Sequence, residues 1–158
     1  MASATTIFIP GLLCTEYLFH HQRDAMPGGA VFADTRQHDT MTAMAEAALA
    51  QAPGQLIPIG LSMGGYVALE MARLAPSRIS AMALLSTSCR QDNAAQRAYR
   101  EQAIKLAGQD GFRGVTRQFL GKCLSPTALA DPALVDGVLA MAAEIGRGVF
   151  VQQQKAIL

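Results

Sequence analysis

The sequence predicts an α/β fold: a parallel sheet of about four strands with flanking helices, followed by a purely helical segment. Three observations carry this. Short apolar runs alternate with amphipathic helical stretches as far as residue 90, and such alternation implies parallel pairing through right-handed crossovers. Beyond residue 90 no further strand-like run occurs. At the third strand–helix junction, "IGLSMGG" (59–65) sets a serine between glycines, which the close approach of a strand and its following helix requires.

Taken in order, "TTIFIP" (5–10) is β-branched and aromatic, ends at Pro10-Gly11, and reads as a buried strand. "AVFADT" (30–35) reads the same way after Pro27-Gly28-Gly29. Met41, Met44, Ala45, Ala48 and Leu49 share one helical face, with Asp39 or Thr40 as N-cap and Pro53-Gly54 as stop. "QLIPIGLS" (55–62) is the third strand, although Pro58 removes a ladder hydrogen bond, so a bulge or poor pairing on one side is expected there. A helix over 64–75 places Val67, Ala68, Met71 and Leu74 inward, and "ISAMALLST" (79–87) is the fourth strand.

Past residue 90, Ala95, Ala98, Tyr99, Ala103 and Leu106 mark a helix; Asp92 stands where an acid could orient a base, but with no base it reads as the N-cap of that helix. Phe112, Val115, Phe119 and Leu120 mark another. Asp131-Pro132 opens a third helix, and a fourth runs from about Val149 to the end. The organisation expected is therefore a sheet-forming core over 1–90 and a helical cap or lid over 91–158.

The bulk numbers exclude several functions. With 158 residues, 51% hydrophobic and 16% charged, the chain should fold as one unit with a sizeable core. A net charge of +1 is too balanced for a nucleic-acid binder or a polybasic membrane module. Cys14, Cys89 and Cys123 are odd in number and lack metal-ligand spacing, which suits free thiols in a reducing compartment. No signal h-region or run of transmembrane length is present, so a cytoplasmic protein is expected, with neither nucleic acid nor membrane as a partner. No metal or nucleotide motif occurs, and no cofactor or metal is expected.

The chemistry is concentrated at Ser62. Gly60-Leu61-Ser62-Met63-Gly64 fits G-x-S-x-G, a strand-to-helix turn that forces the serine into strained backbone angles and projects its hydroxyl. Gly60 and Gly64 let neighbouring backbone pass. The Met63 N–H faces the same space, where a developing oxyanion would need fixed donors, each worth about 10²–10³ in rate. A second donor belongs in the loop after the first strand, where Leu12 is the first candidate and Leu13 the next. The competing reading of the motif is a glycine-rich turn whose serine caps a helix.

These residues carry a resemblance. "FIPGLLCTEYLFHHQ", "IGLSMGGYVALEMARLAPSRI" and "SAMALLSTSCR" resemble the oxyanion strand and helix, the nucleophile elbow and the strand beyond it in the α/β-hydrolase superfamily, in its small cofactor-free esterase-like branch. The helices after residue 90 resemble the cap that members insert over the site. The resemblance implies a serine hydrolase of an ester or related acyl substrate, with Ser62 as nucleophile. Haloperoxidases, C–C hydrolases, lactonases and acyltransferases use the same elbow. It also implies a later acid and, after it, a histidine, yet no histidine occurs beyond His38. The expectation is thus a truncated α/β-hydrolase fold, holding nucleophile and oxyanion hole without the acid and base. His38, beside Asp39, is weighed as a surrogate base against the reading of a surface-loop histidine. His20 and His21 are placed on solvent-facing helix. The alternative is an inactive fragment or a non-catalytic binding module, with self-association through the fourth strand as an open hydrophobic edge.

Overall fold

The computed structural model describes residues 4–26, 29–109 and 114–158. β1 (Thr5–Ile9), β2 (Val31–Phe32), β3 (Leu56–Leu61) and β4 (Ala83–Leu85) form one parallel sheet in the order β2-β1-β3-β4. Parallel neighbours need crossovers. A 3₁₀ turn, Glu16–Phe19, and α1 (His20–Ala25) lead from β1 to β2. α2 (Met41–Ala50) leads to β3, and α3 (Met63–Leu74) to β4.

Because the chain steps from β1 to β2 in one direction and then back across β1 to β3, its winding reverses between β1 and β3. Ligand crevices of open α/β sheets form at such a reversal, beyond the carboxyl ends of the strands. Alternation along β1 serves both faces. Ile7 and Ile9 join Met44, Ala45, Ala48, Leu56, Val67, Ala68 and Met71 in the main core, under α2 and α3. Phe8 faces the other way and stacks on Phe19 and Phe32, with centroids 4.7 and 5.5 Å apart.

Two strands are shorter than the apolar runs that suggest them. The 30–35 run pairs only at Val31 and Phe32, extended by the Ala33 N–H donating to the Phe8 carbonyl at 2.8 Å. The 79–87 run yields Ala83–Leu85 and an isolated Leu56–Ile79 bridge. Pro58 explains the gap. β3 pairs with β1 at every position from Leu56 to Gly60, Pro58 included. The Leu56 carbonyl accepts from Ser80 N–H on the β4 side. Alternation then puts Pro58, which has no N–H, on that side as well. The β4 ladder resumes at Ile59–Ala83, three residues on in β3 but four on in its partner, so the proline sits at a bulged interruption.

After β4 come α4 (Ala94–Ala107), α5 (Arg117–Leu120), α6 (Pro126–Leu129) and α7 (Pro132–Ile157). Asp92 is not the cap of α4. Asn93 is, through a reciprocal capping box with Gln96, while Asp92 pairs with Arg100. The helix expected from Phe112 reduces to the single turn α5, capped by Thr116. Phe112 itself lies outside the described residues. α6, with Ser125 as cap and Pro126 at its first position, is an element the apolar pattern does not signal. The two final helices run together as α7, broken at Gly146 (φ 71°, ψ 176°). This is backbone that glycine alone tolerates. A second apolar cluster joins Leu13 of the loop after β1 to Ala107, Ala142, Ile145 and Phe150. Among the described residues no helix is long and apolar enough to cross a membrane.

Candidate active site

Ser62 stands at the junction of β3 and α3 with φ 53° and ψ −115°. A non-glycine residue there stores about 1–3 kcal/mol of strain and persists only where the surroundings over-determine it. Here they do. The Ser62 N–H donates to the Leu85 carbonyl at 2.9 Å, continuing the β3–β4 ladder into the turn. Its carbonyl accepts from Gly65 N–H at 2.9 Å and from the Thr87 hydroxyl at 2.8 Å. Absent side chains do the rest. A Cβ on Gly60 would overlap the Gly64 carbonyl, one on Gly64 would overlap the Ile9 carbonyl, and one on Gly65 would overlap Thr87. Ser62 caps no backbone N–H with its side chain, so the helix-cap reading of the motif fails. Its hydroxyl has no hydrogen-bond partner among the described residues and reaches solvent.

The loop after β1 runs alongside. A Cβ on Gly11 would lie 3.2 Å from the Leu61 carbonyl and 3.6 Å from the Ser62 Cβ. Cys14 N–H donates to the Gly11 carbonyl at 3.1 Å, closing a turn around Leu12 and Leu13. Leu13 is left-handed, with φ 60°. Its N–H is already committed to the Gln153 side-chain oxygen at 3.1 Å, so of the two expected donors only Leu12 remains open. The Leu12 and Met63 N–H groups have no acceptor among the described residues.

No protein-family model and no curated protein matches the sequence. Solved structures do. A hydrolase from Pseudomonas aeruginosa PA01 superposes with TM-score 0.79 at 21% identity, over 99% of this chain and 65% of that one. A thermophilic esterase from Thermogutta terrifontis gives 0.74 at 19%, over 98% and 64%. The enol-lactonase from Burkholderia xenovorans LB400 gives 0.68 at 16%, over 99% and 65%. The chain has the α/β-hydrolase fold. It spans a little under two-thirds of the length of the esterase and of the two hydrolytic neighbours named beside it.

Within that fold Ser62 and the turn after Gly11 lie side by side at the carboxyl ends of β3 and β1, where the winding reverses. His38 lies half-buried in the loop after β2 and makes no hydrogen bond to Ser62 or to any other described residue. His20 and His21 have ring centroids 3.8 Å apart and tilted, with His20 stacked against Tyr17 and His21 exposed. Beside the turn, a cavity of about 280 Å³ opens between the loops after β1 and β2. It is lined by Cys14, Glu16, Phe32, Asp34 and Arg36 among others. There the Arg36 guanidinium holds the Asp34 carboxyl below its ordinary range. Burial pushes the Cys14 thiol up to about 11, so it stays protonated and unreactive at neutral pH. Among the described residues no three His, Cys, Asp or Glu side chains gather as a metal site would need.

The residues that sequence reasoning missed are Thr87 and Gln153. Thr87 lies just past β4 in a run read only as strand. Gln153 lies in "VQQQK", which carries no signal beyond a helix end.

Proposed function

We propose that this chain carries the nucleophile and oxyanion hole of a serine hydrolase acting on an ester or related acyl substrate. The observation that supports it is the state of Ser62: strained, held by three neighbouring groups, and presenting an unpartnered hydroxyl near two unpartnered backbone N–H groups. In the reaction the Ser62 oxygen attacks the substrate carbonyl carbon and gives its proton to a base. The carbonyl oxygen takes the negative charge and receives hydrogen bonds from Leu12 and Met63 N–H. Collapse expels the alcohol and leaves an acyl-serine, which water hydrolyses. The scheme assigns the base to a histidine outside this segment and uses no cofactor. Without that base, a serine site keeps about 10³–10⁴ of rate enhancement over water from its oxyanion hole and binding alone. The esterase and the enol-lactonase among the similar structures support the acyl class.

Fluorophosphonate labelling of the folded chain, beside Ser62→Ala, tests this. Slow labelling of the parent, at the residual rate a serine site keeps without its base, that disappears in Ser62→Ala is expected. Equal labelling of both would overturn the assignment, and a fall in rate on His38→Ala would identify His38 as the base. A second reading, a binding module without turnover, is favoured by one observation: Leu84 and Leu85 on the edge strand β4 are each 40% exposed. It predicts a dimer by size exclusion that Leu84→Lys dissolves.

A further inference from the structure

Gln153 is a neutral polar side chain with no exposure at all, 140 residues along the chain from the turn it touches. Its oxygen accepts from Leu13 N–H at 3.1 Å. Its nitrogen reaches the Thr35 carbonyl at 3.4 Å and the Thr35 hydroxyl at 3.3 Å, both long contacts, and Thr35 is itself buried. One amide thus joins the loops after β1 and β2 to α7.

The Leu12–Leu13 peptide is the central one of the turn, and it is the peptide that flips when such turns interconvert. Both of its ends are held, Leu13 N–H by Gln153 and the Leu12 carbonyl by the Cys14 thiol at 3.5 Å. The preceding peptide follows. Its carbonyl, on Gly11, is taken by Cys14 N–H, and in a planar trans peptide the Leu12 N–H must then point to the opposite side. Within the turn only the two Cys14 contacts offset the left-handed φ of Leu13.

We propose that Gln153 is a positioning residue that fixes the peptide planes of the 11–14 turn from α7, and so the direction of the Leu12 N–H. The oxyanion part of this rests on the reading of Ser62 given above. Gln154 makes the arrangement a junction. It is buried beside Gln153 and accepts from Arg100, which pairs with Asp92, so consecutive residues of α7 tie the turn on one side and α4 on the other.

The test is amide exchange by NMR on the ¹⁵N-labelled 158-residue chain, with Gln153→Met and Gln153→Glu. Met fills the space and removes the acceptor. Glu, kept neutral by burial, still accepts through its carbonyl and donates to Thr35 through its O–H. The Leu13 amide should exchange about 10- to 100-fold more slowly than an open loop in the parent and in Gln153→Glu, and lose that protection in Gln153→Met. Protection in β3 and α3 should stay. Fluorophosphonate labelling should fall about 10- to 100-fold in Gln153→Met and recover in Gln153→Glu. A Leu13 amide that exchanges freely in the parent, or that stays protected in Gln153→Met, overturns the clamp. Should Gln153→Met fail to fold, the parent and Gln153→Glu still decide it. Unchanged labelling in a Gln153→Met chain whose turn has opened overturns the link to the oxyanion donor. A parent that never labels shows that the missing base limits Ser62, and leaves the exchange result to decide the clamp alone.

Discussion

Two residues at this site, Ser62 and Leu13, have left-handed backbone without being glycine, with φ 53° and 60°. They are held in opposite ways. Ser62 is fixed by what lies within a few residues or on the adjacent strand: three missing Cβ atoms, the ladder bond to Leu85 and the Thr87 hydroxyl. Leu13 is held within its turn only by the Cys14 N–H and thiol, and its own N–H by one side chain that arrives from the far end of the chain. Strain held by backbone exclusion can be removed only by moving strands. Strain held by a single side chain can be released by one substitution, or by any motion of α7. The comparison teaches that the Ser62 turn is built into the sheet, whereas the Leu12–Leu13 turn is conditional on the helical segment.

Adding an atom to the sheet-held side should have the largest effect. A methyl on Gly64 has no space, because the Ile9 carbonyl is in its place and belongs to β1 at the centre of the sheet. Gly64→Ala should cost more than about 3 kcal/mol in urea unfolding or abolish folding outright. A loss below about 1 kcal/mol would mean that α3 can retreat from β1 and that the serine turn is not held by exclusion.

The conditional side can be loosened without touching it. Gly146 lies in a region of backbone space open essentially to glycine, and a Cβ there would meet nothing, so Gly146→Ala isolates the backbone effect. About 2 kcal/mol of stability should be lost. Because the break at Gly146 aims residues 147–157, the Leu13 amide should lose protection while those of α3 do not. Loss spread evenly over both would erase the distinction between the two sides.

The unequal legibility of the two sides has the same origin. Gly60, Ser62 and Gly64 announce their turn because its geometric demands fall on residues adjacent in sequence, and the apolar strand before it is enough to place it. The strands themselves and the α2 and α3 faces follow from equally local periodicities. Gln153 carries no local signature: a buried glutamine in "VQQQK" is indistinguishable from an exposed one until Gly146 turns its helix inward. Asp92 shows the same limit at shorter range. Its position before a helix suggests a cap, but Asn93 takes that role and Asp92 is used by Arg100, which only the packing of α4 makes available. The shortened strands β2 and β4 are tertiary too, since apolar runs continue where their neighbours no longer pair.

Relieving the strain on the sheet-held side should give a smaller effect of opposite sign. Ser62→Gly removes the side chain that the backbone angles disfavour and leaves the glycine contacts intact. The folded chain should gain about 1 kcal/mol, less than the full strain because glycine also loosens the unfolded state. Labelling would vanish at the same time. A site that grows more stable as it loses its chemistry is expected where backbone strain serves function. No gain, or a loss, would show that Ser62 is unstrained and merely local turn structure.

The smallest effect lies away from both turns and serves as their control. Glu70 on α3 accepts from Arg73 in two hydrogen bonds of 2.7 Å and from the Thr42 hydroxyl of α2 at 2.6 Å. The Arg73 guanidinium, and after it Thr42, hold its carboxyl down from 4.5 to about 2. A carboxyl depressed in the folded state stabilises above its unfolded value, so this contribution is complete above about pH 4.5 and is lost as pH falls toward 2. Arg73 is 64% exposed, so solvent screening leaves the pair only a small contribution. Glu70→Gln should slightly flatten the stability profile between pH 4.5 and 2 and change nothing at pH 7 in the exchange of Leu13. A change at Leu13 on Glu70→Gln would mean that the α2–α3 face also reaches the 11–14 turn, and that the long-range hold is not Gln153's alone.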